Sequence, residues 1–460
     1  VPDWRPKFST SRAAPLYRRI VDAMVADIES GRLAAGTRLP PQRDLAHALS
    51  VSVGAVTRAY DTAVRRGLVA AHVGRGTFVI DRASSNAVQG GPIDLSINTA
   101  PVASAEAIAE AIAAMSRPAA WVERLDYQPP FGLEVDRRAG AAWLERIAGF
   151  DALDWRTLIC CSGAQNGMAI ALTAFCVPGD GVMCEAVSFP GVRALAAQMS
   201  YRLHGVKMDE QGIQPQALDR AAAETGARVL YTLPTLQNPT TRTMSEKRRA
   251  DIVKVARARN LWIVEDDVYA PYARHLGLSP LAAMAPERTV FVTSLSKILS
   301  PGLRVGYLVA PAGEVFERCG HAMRALMHSP PGLGLAIATN WIEGGKADDL
   351  AREVLTETSA RTTLARTALK GFIDEPSTGM SLHLWLPMRE IDAERTAARA
   401  TAAGLRLTPP AAFAVSNTAS LSGLRLCIGS AANRATLEHA LSILKSALKG
   451  ERDNRLDALL

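Results

Sequence analysis

The chain has 460 residues and a net charge of +7; hydrophobic residues make up 48% and charged residues 21%, which excludes a disordered chain. At about 100–200 residues per domain this length holds two to four domains, and no apolar run approaches the ~20 residues of a membrane span. Six cysteines, of which only Cys160 and Cys161 lie close together, exclude a disulfide scaffold and a structural zinc site, so reduced, buried thiols in a cytoplasmic protein are expected, with no metal and no membrane partner.

The first residues, V-P-D-W-R-P-K-F, lack the apolar core of a secretory signal. Residues 1–82 carry 13 Lys and Arg against 7 Asp and Glu, whereas the other 378 residues carry 39 against 38. Nearly all the surplus positive charge therefore sits in the first fifth of the chain, as in a module that meets phosphate. Apolar residues at Leu16, Ile20, Val21, Met24, Val25 and Ile28 predict a helix that Gly31 ends. Pro40-Pro41 forbids its continuation. A second short helix is predicted over Gln42–Leu49, and a third from Ser52, a suitable N-cap, to Arg66 before Gly67. The β-prone runs L-V-A-A-H-V and G-T-F-V-I follow, joined by Gly74-Arg75-Gly76. Three helices and a hairpin describe a winged helix-turn-helix.

The string L-P-P-Q-R-D-L-A-H-A-L-S-V-S-V-G-A-V-T-R-A-Y, with G-R-G-T-F-V after it, resembles the GntR family of bacterial repressors over about Leu16–Val79. The resemblance implies that Arg43, Ser52 and Arg58 face double-stranded DNA, and that the wing residues Gly74, Arg75, Gly76 and Thr77 reach the groove or its phosphates. Where the family commonly places Arg after the residue matching Ser52, this chain has Val53. Arg can grip a guanine edge through two hydrogen bonds and Val offers only a methyl contact, so a different sequence preference is expected.

Residues 81–94, D-R-A-S-S-N-A-V-Q-G-G-P-I-D, are polar and without apolar period, and read as a linker between a domain at 1–80 and one at 95–450. Beyond it, short apolar runs at Thr157–Cys161, Val182–Cys184, Arg228–Leu233, Leu261–Val264, Thr289–Thr293 and Val305–Val309 alternate with helical stretches such as Ala164–Phe175, Ser245–Arg259 and Ala273–Ala285. This alternation predicts an α/β domain on a mainly parallel sheet, in which ligands gather at the carboxyl ends of strands.

Three motifs fall at such ends. S-L-S-K places Lys297 just after a strand, where a lysine can form a Schiff base if its amine is desolvated. V-E-D-D-V-Y places two acids at the end of an apolar strand, a costly position unless they are solvated or paired. L-P-T-L-Q-N-P-T follows a third strand. In this order the motifs resemble the fold type I aminotransferases, which use pyridoxal 5'-phosphate (PLP), over about residues 94–446. The resemblance implies an α/β fold with a smaller C-terminal α+β subdomain. It further implies that Lys297 holds PLP, that Asp266 pairs with its pyridine nitrogen, and that Tyr269 and Asn238 bind its phenolic oxygen. Ser294, Arg304 and the turn containing Ala164 and Gln165 would take the phosphate, Phe189 would stack on the ring, and Arg425 would grip a substrate carboxylate. Tyr127 matches a tyrosine that reaches the neighbouring subunit's phosphate, which implies a homodimer. Thr240-Thr241 stands where many relatives have Thr-Gly, a change expected to tighten the loop while leaving Asn238 in place.

A GntR-type reader ahead of an aminotransferase-like domain resembles the MocR family of transcription regulators. That likeness implies a cytoplasmic, PLP-dependent regulator that senses an amino acid, an amine or PLP itself. A working aminotransferase with a tethered reader is the alternative, because every residue for half-transamination is present. The N-terminal motif and charge have no catalytic use and favour the regulator.

Overall fold

The computed structural model describes residues 4–6, 15–30, 32–34, 36–65, 68–72, 76–79, 91–101, 105–114, 124, 126–415 and 421–450. The expected wing residues Gly74 and Arg75, and positions 81–90 of the expected linker, lie outside the described residues. The chain divides into two compact units, residues 1–91 and 92–460.

In the first unit, α1 (Leu16–Glu29), α2 (Gln42–Leu49) and α3 (Val53–Arg65) precede the antiparallel strands β1 (Val69–His72) and β2 (Gly76–Val79). Ile20, Val21 and Met24 of α1 meet Leu45 of α2 and Val56 and Tyr60 of α3 in one core, so the helical period read in the sequence is the buried face. Pro41 stands immediately before α2, and Ser50 ends that helix in the left-handed conformation. Ser52 Oγ accepts the Ala55 N–H at 3.3 Å and so caps α3 as its residue type suggests. Two bonds fix α3 on α2 and the segment leading into it: the buried Tyr60 hydroxyl donates to the Pro40 carbonyl at 2.7 Å, and Thr57 Oγ1 donates to Gln42 Oε1 at 2.8 Å.

The second unit opens with β3 (Ile93–Asp94) and is built on β4 (Leu158–Cys161), β5 (Gly181–Glu185), β6 (Arg202–Val206), β9 (Val229–Thr232), β10 (Trp262–Asp266), β11 (Thr289–Ser294) and β12 (Gly306–Val309). A small hairpin, β7 (Met208–Asp209) and β8 (Gly212–Ile213), interrupts the series. The seven strands form one sheet in the order β4-β12-β11-β10-β9-β5-β6, parallel except for β12. Every residue of β4, β9, β11 and β12 is buried, which is why these runs carry no polar alternation. The carboxyl ends of β9, β10 and β11 lie side by side and bring the three chemistry-bearing motifs to one rim.

Two sequence expectations differ from the structure. The stretch Ala273–Ala285 is not one helix: Ala270–Ala273 and a 3₁₀ turn at Arg274–Leu276 stop at Gly277 (φ +64°), and a new turn, Leu281–Met284, begins after Pro280. Strand β6 is missing from the predicted set because R-L-H-G-V is an edge strand, buried only at Val206 and mixed in polarity.

A smaller C-terminal portion has its own core, in which Leu384 and Leu386 of β13 (His383–Pro387) face Leu424 and Leu426 of β15 (Gly423–Cys427). The helices Glu390–Ala402 and Arg434–Lys449 cover this ribbon. Strand β14 (Leu405–Arg406) pairs in parallel with β3, so Leu95 from the start of the unit enters the same core. Among the described residues no helix is long and apolar enough to cross a membrane, and all six cysteines are buried free thiols.

Tyr60→Phe should leave the Pro40 carbonyl without its donor at a cost of about 1–2 kcal/mol. Hydrogen exchange of the α2 and α3 amides should then quicken by roughly five- to thirty-fold; unchanged protection would show that this bond does not hold the two helices.

Candidate functional site

Glu265 and Asp266 end β10 and Asp267 follows directly, and all three acids are buried. Glu265 accepts the Leu281 and Ala282 N–H groups, each at 2.8 Å, with the Arg249 guanidinium 3.8 Å away. Asp267 accepts the Thr235 hydroxyl at 2.8 Å, and Arg249 holds that threonine in turn. Asp266 points to the other face, as alternation along a strand requires. Its Oδ2 accepts the Tyr231 hydroxyl at 2.7 Å, while its Oδ1 is buried with no partner. Burial pushes Asp266 up to about 7, and the Asp267 charge adds to this against the Tyr231 hydrogen bond and Lys297.

Lys297 ends the 3₁₀ turn that follows β11, a turn capped by Ser294 Oγ accepting the Ser296 N–H at 3.4 Å. Its amine donates to the backbone carbonyl of Asn98. Desolvation lowers Lys297 to about 8; the cations of Arg425 and Arg304 act the same way, opposed by Cys427 and Asp266. An amine so placed has a far larger neutral, nucleophilic fraction near physiological pH than an ordinary lysine.

The other side of the site is a linked set of polar groups. Asn98 Nδ2 donates to the Tyr269 hydroxyl at 2.8 Å and lies 3.0 Å from His383 Nδ1. Arg425, on β15, donates through Nη1 to Asn238 Oδ1 at 2.9 Å and through Nη2 to the Ser96 carbonyl at 2.6 Å and Thr408 Oγ1 at 3.0 Å. Its Nε is buried without a partner, and its guanidinium lies 5.0 Å from the Phe413 ring centre. The loop carrying Asn238 is shaped by Gln237, whose Oε1 accepts from the Thr240 N–H and hydroxyl at 3.0 and 2.6 Å. Thr241 follows in the left-handed region (φ +58°), a conformation that suits glycine and costs a β-branched residue about 1–2 kcal/mol. The Thr-Thr departure is thus absorbed by local strain, and Asn238 remains seated on Arg425.

At the opposite end, Arg304 donates to the Ser162 carbonyl at 3.1 Å beside the uncapped first turn of the helix Gly163–Phe175, which carries Ala164 and Gln165. A Cβ on Gly163 (φ +78°) would stand 3.0 Å from the Arg304 guanidinium, and one on Gly306 would stand 2.7 Å from the Gly163 carbonyl carbon. This close approach leaves the backbone N–H groups of a helix start bare next to a cation, an arrangement suited to an anion. Phe189 and Gln165 both pack around Gly191, and Gln165 Nε2 donates to the Gly191 carbonyl at 3.1 Å.

The structure therefore brings Lys297, Asp266, Tyr269, Asn238 and Arg425 into one cluster, with Ser294 and Arg304 flanking it. Tyr127 is not joined to it; that ring is 80% exposed and packs edge-on to His328, 4.8 Å between centres. Sequence reasoning missed Tyr231, Asn98 and His383. Tyr231 reads as a residue of an apolar strand, His383 lies beyond the predicted strands, and Asn98 belongs to a stretch without periodicity.

In the first unit, Arg43 is exposed on α2 and Val53 is 45% exposed at the start of α3. The exposed Arg58 lies over the Tyr17 ring at 4.4 Å. Gly76 (φ +110°) lets Arg38 cross the wing, since a Cβ there would be 2.7 Å from Arg38 Nε. Nothing in the sequence motifs points to Arg38. The Thr77 carbonyl accepts the Leu39 N–H at 2.8 Å, which ties the wing to the segment before α2.

The chain matches the family described as "Aminotransferase class I and II" over residues 91–444 and "Bacterial regulatory proteins, gntR family" over residues 16–79. It is 28% identical to the uncharacterized HTH-type transcriptional regulator YdeF of Bacillus subtilis, across 97% of this chain and 96% of that protein. It is 26% identical to the HTH-type pyridoxine biosynthesis transcriptional regulator PdxR of Corynebacterium glutamicum, across 66% of this chain and 68% of that protein. Among solved structures it is similar to an archaeal alanine:glyoxylate aminotransferase (TM-score 0.72, 20% identity, 81% of this chain and 94% of that one). It is also similar to the α-aminoadipate aminotransferase LysN from Thermus thermophilus, complexed with N-(5'-phosphopyridoxyl)-L-leucine (TM-score 0.68, 24% identity, 81% and 94%). These likenesses fix the fold of the larger unit, and with the gntR match the chain belongs to the class I and II aminotransferase family in the reader-fused form of the MocR transcription regulators.

Proposed function

We propose that this protein is a cytoplasmic, homodimeric transcription regulator that binds double-stranded DNA through its first unit and holds PLP at Lys297 to sense an amino acid or amine. One observation carries the reading: a desolvated lysine amine and a buried carboxylate with an unpartnered oxygen share one site, in a chain that begins with a gntR-type reader.

The residues suit PLP chemically. Asp266 Oδ1 is an acceptor awaiting a donor, and a protonated pyridine nitrogen supplies one. Arg425 commits Asn238 Oδ1 as an acceptor, so the Asn238 amide turns its donors to a phenolic oxygen, beside the Tyr269 hydroxyl. Arg304, Ser294 and the N–H groups around Ala164 and Gln165 cradle a phosphate. Phe189 stacks on the ring, and Tyr127, exposed on its own chain, reaches the phosphate held by the partner subunit. When bound, PLP supplies a carbonyl carbon that exchanges one amine for another and a ring that accepts electrons.

This chain's residues supply selection and coupling. Arg425 offers its free Nε and its Nη2 to a carboxylate in a bidentate fork, so an amino acid is gripped at both ends. Doing so moves Arg425 off the Ser96 carbonyl, whose segment is joined in sequence to the reader. Such binding regulates only when affinity differs between two conformations, and this change of partner is where the difference arises. Arg43, Arg58 and Arg75 contact phosphates or base edges, and Ser52, Gly74, Gly76 and Thr77 shape the approach.

Wild-type protein mixed with PLP should develop the absorbance of a lysine-bound cofactor at about 400–430 nm. Lys297→Ala should lose that absorbance and the effect of amines on DNA binding while keeping basal affinity. An unaltered amine response, or steady turnover of amino acids without sequence-specific DNA binding, would overturn the regulator. PLP capture should quicken with pH only as far as about 8 and then level, because the amine is already neutral above that value, whereas an ordinary lysine continues to gain towards 10.5. Stopped-flow absorbance from about pH 6 to 10 reads the difference. DNA affinity should fall steeply between about 50 and 200 mM salt. Arg43→Ala should reduce the slope of log affinity against log salt by about one if it contacts a phosphate.

A further inference from the structure

We propose that Asn98 and His383 form a hydrogen-bonded relay that commits the Tyr269 hydroxyl as a donor to the cofactor's phenolic oxygen, making both positioning residues of the site. The proposal rests on the PLP reading above, and it concerns groups outside the motifs that led to that reading.

The direction of each bond is fixed by elimination. His383 is fully buried on β13, and its Nε2 lies 3.3 Å from the Gln237 carbonyl, which can only accept. The proton of a neutral ring therefore sits on Nε2, and Nδ1 is an acceptor. Asn98 must then present its Nδ2 to Nδ1, because the flipped amide would set oxygen against a lone pair. The second Nδ2 proton goes to the Tyr269 oxygen at 2.8 Å. With its oxygen already accepting, Tyr269 has its own O–H proton left for another partner. Asn98 Oδ1 is buried with no partner, and the Asn98 carbonyl accepts the Lys297 amine, so this one residue touches both the phenol and the lysine.

Charge supports the neutral ring. Burial, reinforced by the Arg425 and Lys297 cations, holds His383 down at about 3, so the ring is neutral near pH 7 and carries no proton on Nδ1 there. Burial also raises the Tyr269 phenol, which therefore stays protonated and able to donate. The titratable or charged groups facing this relay are Asp266, Lys297, Tyr272, Arg425 and Cys427. A donor at the phenolic oxygen stabilises its negative charge and lets the adjacent lysine-derived nitrogen lose its proton at lower pH.

The test uses full-length protein saturated with PLP and follows absorbance against pH. Asn98→Ala should raise the midpoint of the spectral change by about half to one pH unit, the size of one modest hydrogen bond. His383→Phe should move it the same way. His383→Gln, whose amide can both accept and donate, should restore it. Midpoints unmoved in Asn98→Ala and His383→Phe, with PLP still bound, would overturn the relay. A second measurement needs no cofactor: ring ¹⁵N shifts of cofactor-free protein, with His383 assigned by difference from His383→Phe. A neutral Nε2–H tautomer is expected at about pH 7, and an Nδ1–H tautomer or a protonated ring would refute the proposal. Absence of any absorbance change on adding PLP to the wild type would instead defeat the cofactor reading, which the nitrogen shifts do not depend on.

Discussion

The removal of Lys297 and Asp266 from water is the constraint around which the larger unit is organised. Taking an amine and a carboxyl into a low-dielectric rim costs several kcal/mol for each charged form, and proteins answer by neutralising the groups or supplying partners. Both answers are present. The lysine falls to about 8 and the aspartate rises to about 7, so burial moves each group towards its neutral form. The sheet makes this possible, since β10 and β11 lie in parallel register and deliver both groups from the same rim. Arg249 meanwhile keeps Glu265 and Thr235 in place on the far face.

Much of this was legible in the residues, for identifiable reasons. Strands such as T-V-F-V-T and L-I-C-C are buried on both faces, so their apolar runs stand out against amphipathic helices. The helix-turn-helix was legible because Pro40-Pro41, Ser52 and the spacing of Ile20, Val21 and Met24 each punctuate it locally. Asp266, Asn238 and Lys297 came together because they sit at or just after the carboxyl ends of adjacent strands, whereas Tyr127, on no such strand, did not join them.

What was not legible depends on contacts between distant parts of the chain. The stretch Ala273–Ala285 has helical composition, yet Gly277 and Pro280 divide it, and a period count passes over that break. Tyr231 looks like a core aromatic until Asp266, 35 residues away, is placed against its hydroxyl. His383 and Asn98 are 285 positions apart and meet where the segment after β3 lies against the β13–β15 ribbon, the Leu95 carbonyl accepting the Cys427 N–H at 3.0 Å opposite His383. In the reader, Arg58 was weighed as a DNA contact, but nothing local foretold that Tyr17 would lie beneath its guanidinium.

Strand β3 has a practical corollary. The residues just after it place Leu95 in the C-terminal core, lend the Ser96 carbonyl to Arg425 and deliver Asn98 to the lysine, all within a handful of positions after the segment that leads from the reader. The border between the halves is therefore not a blank spacer running up to the enzyme-like body. Surgery that frees that body must cut upstream of Ile93, since a scar a few positions later would excise a wall of the very chamber one hoped to isolate.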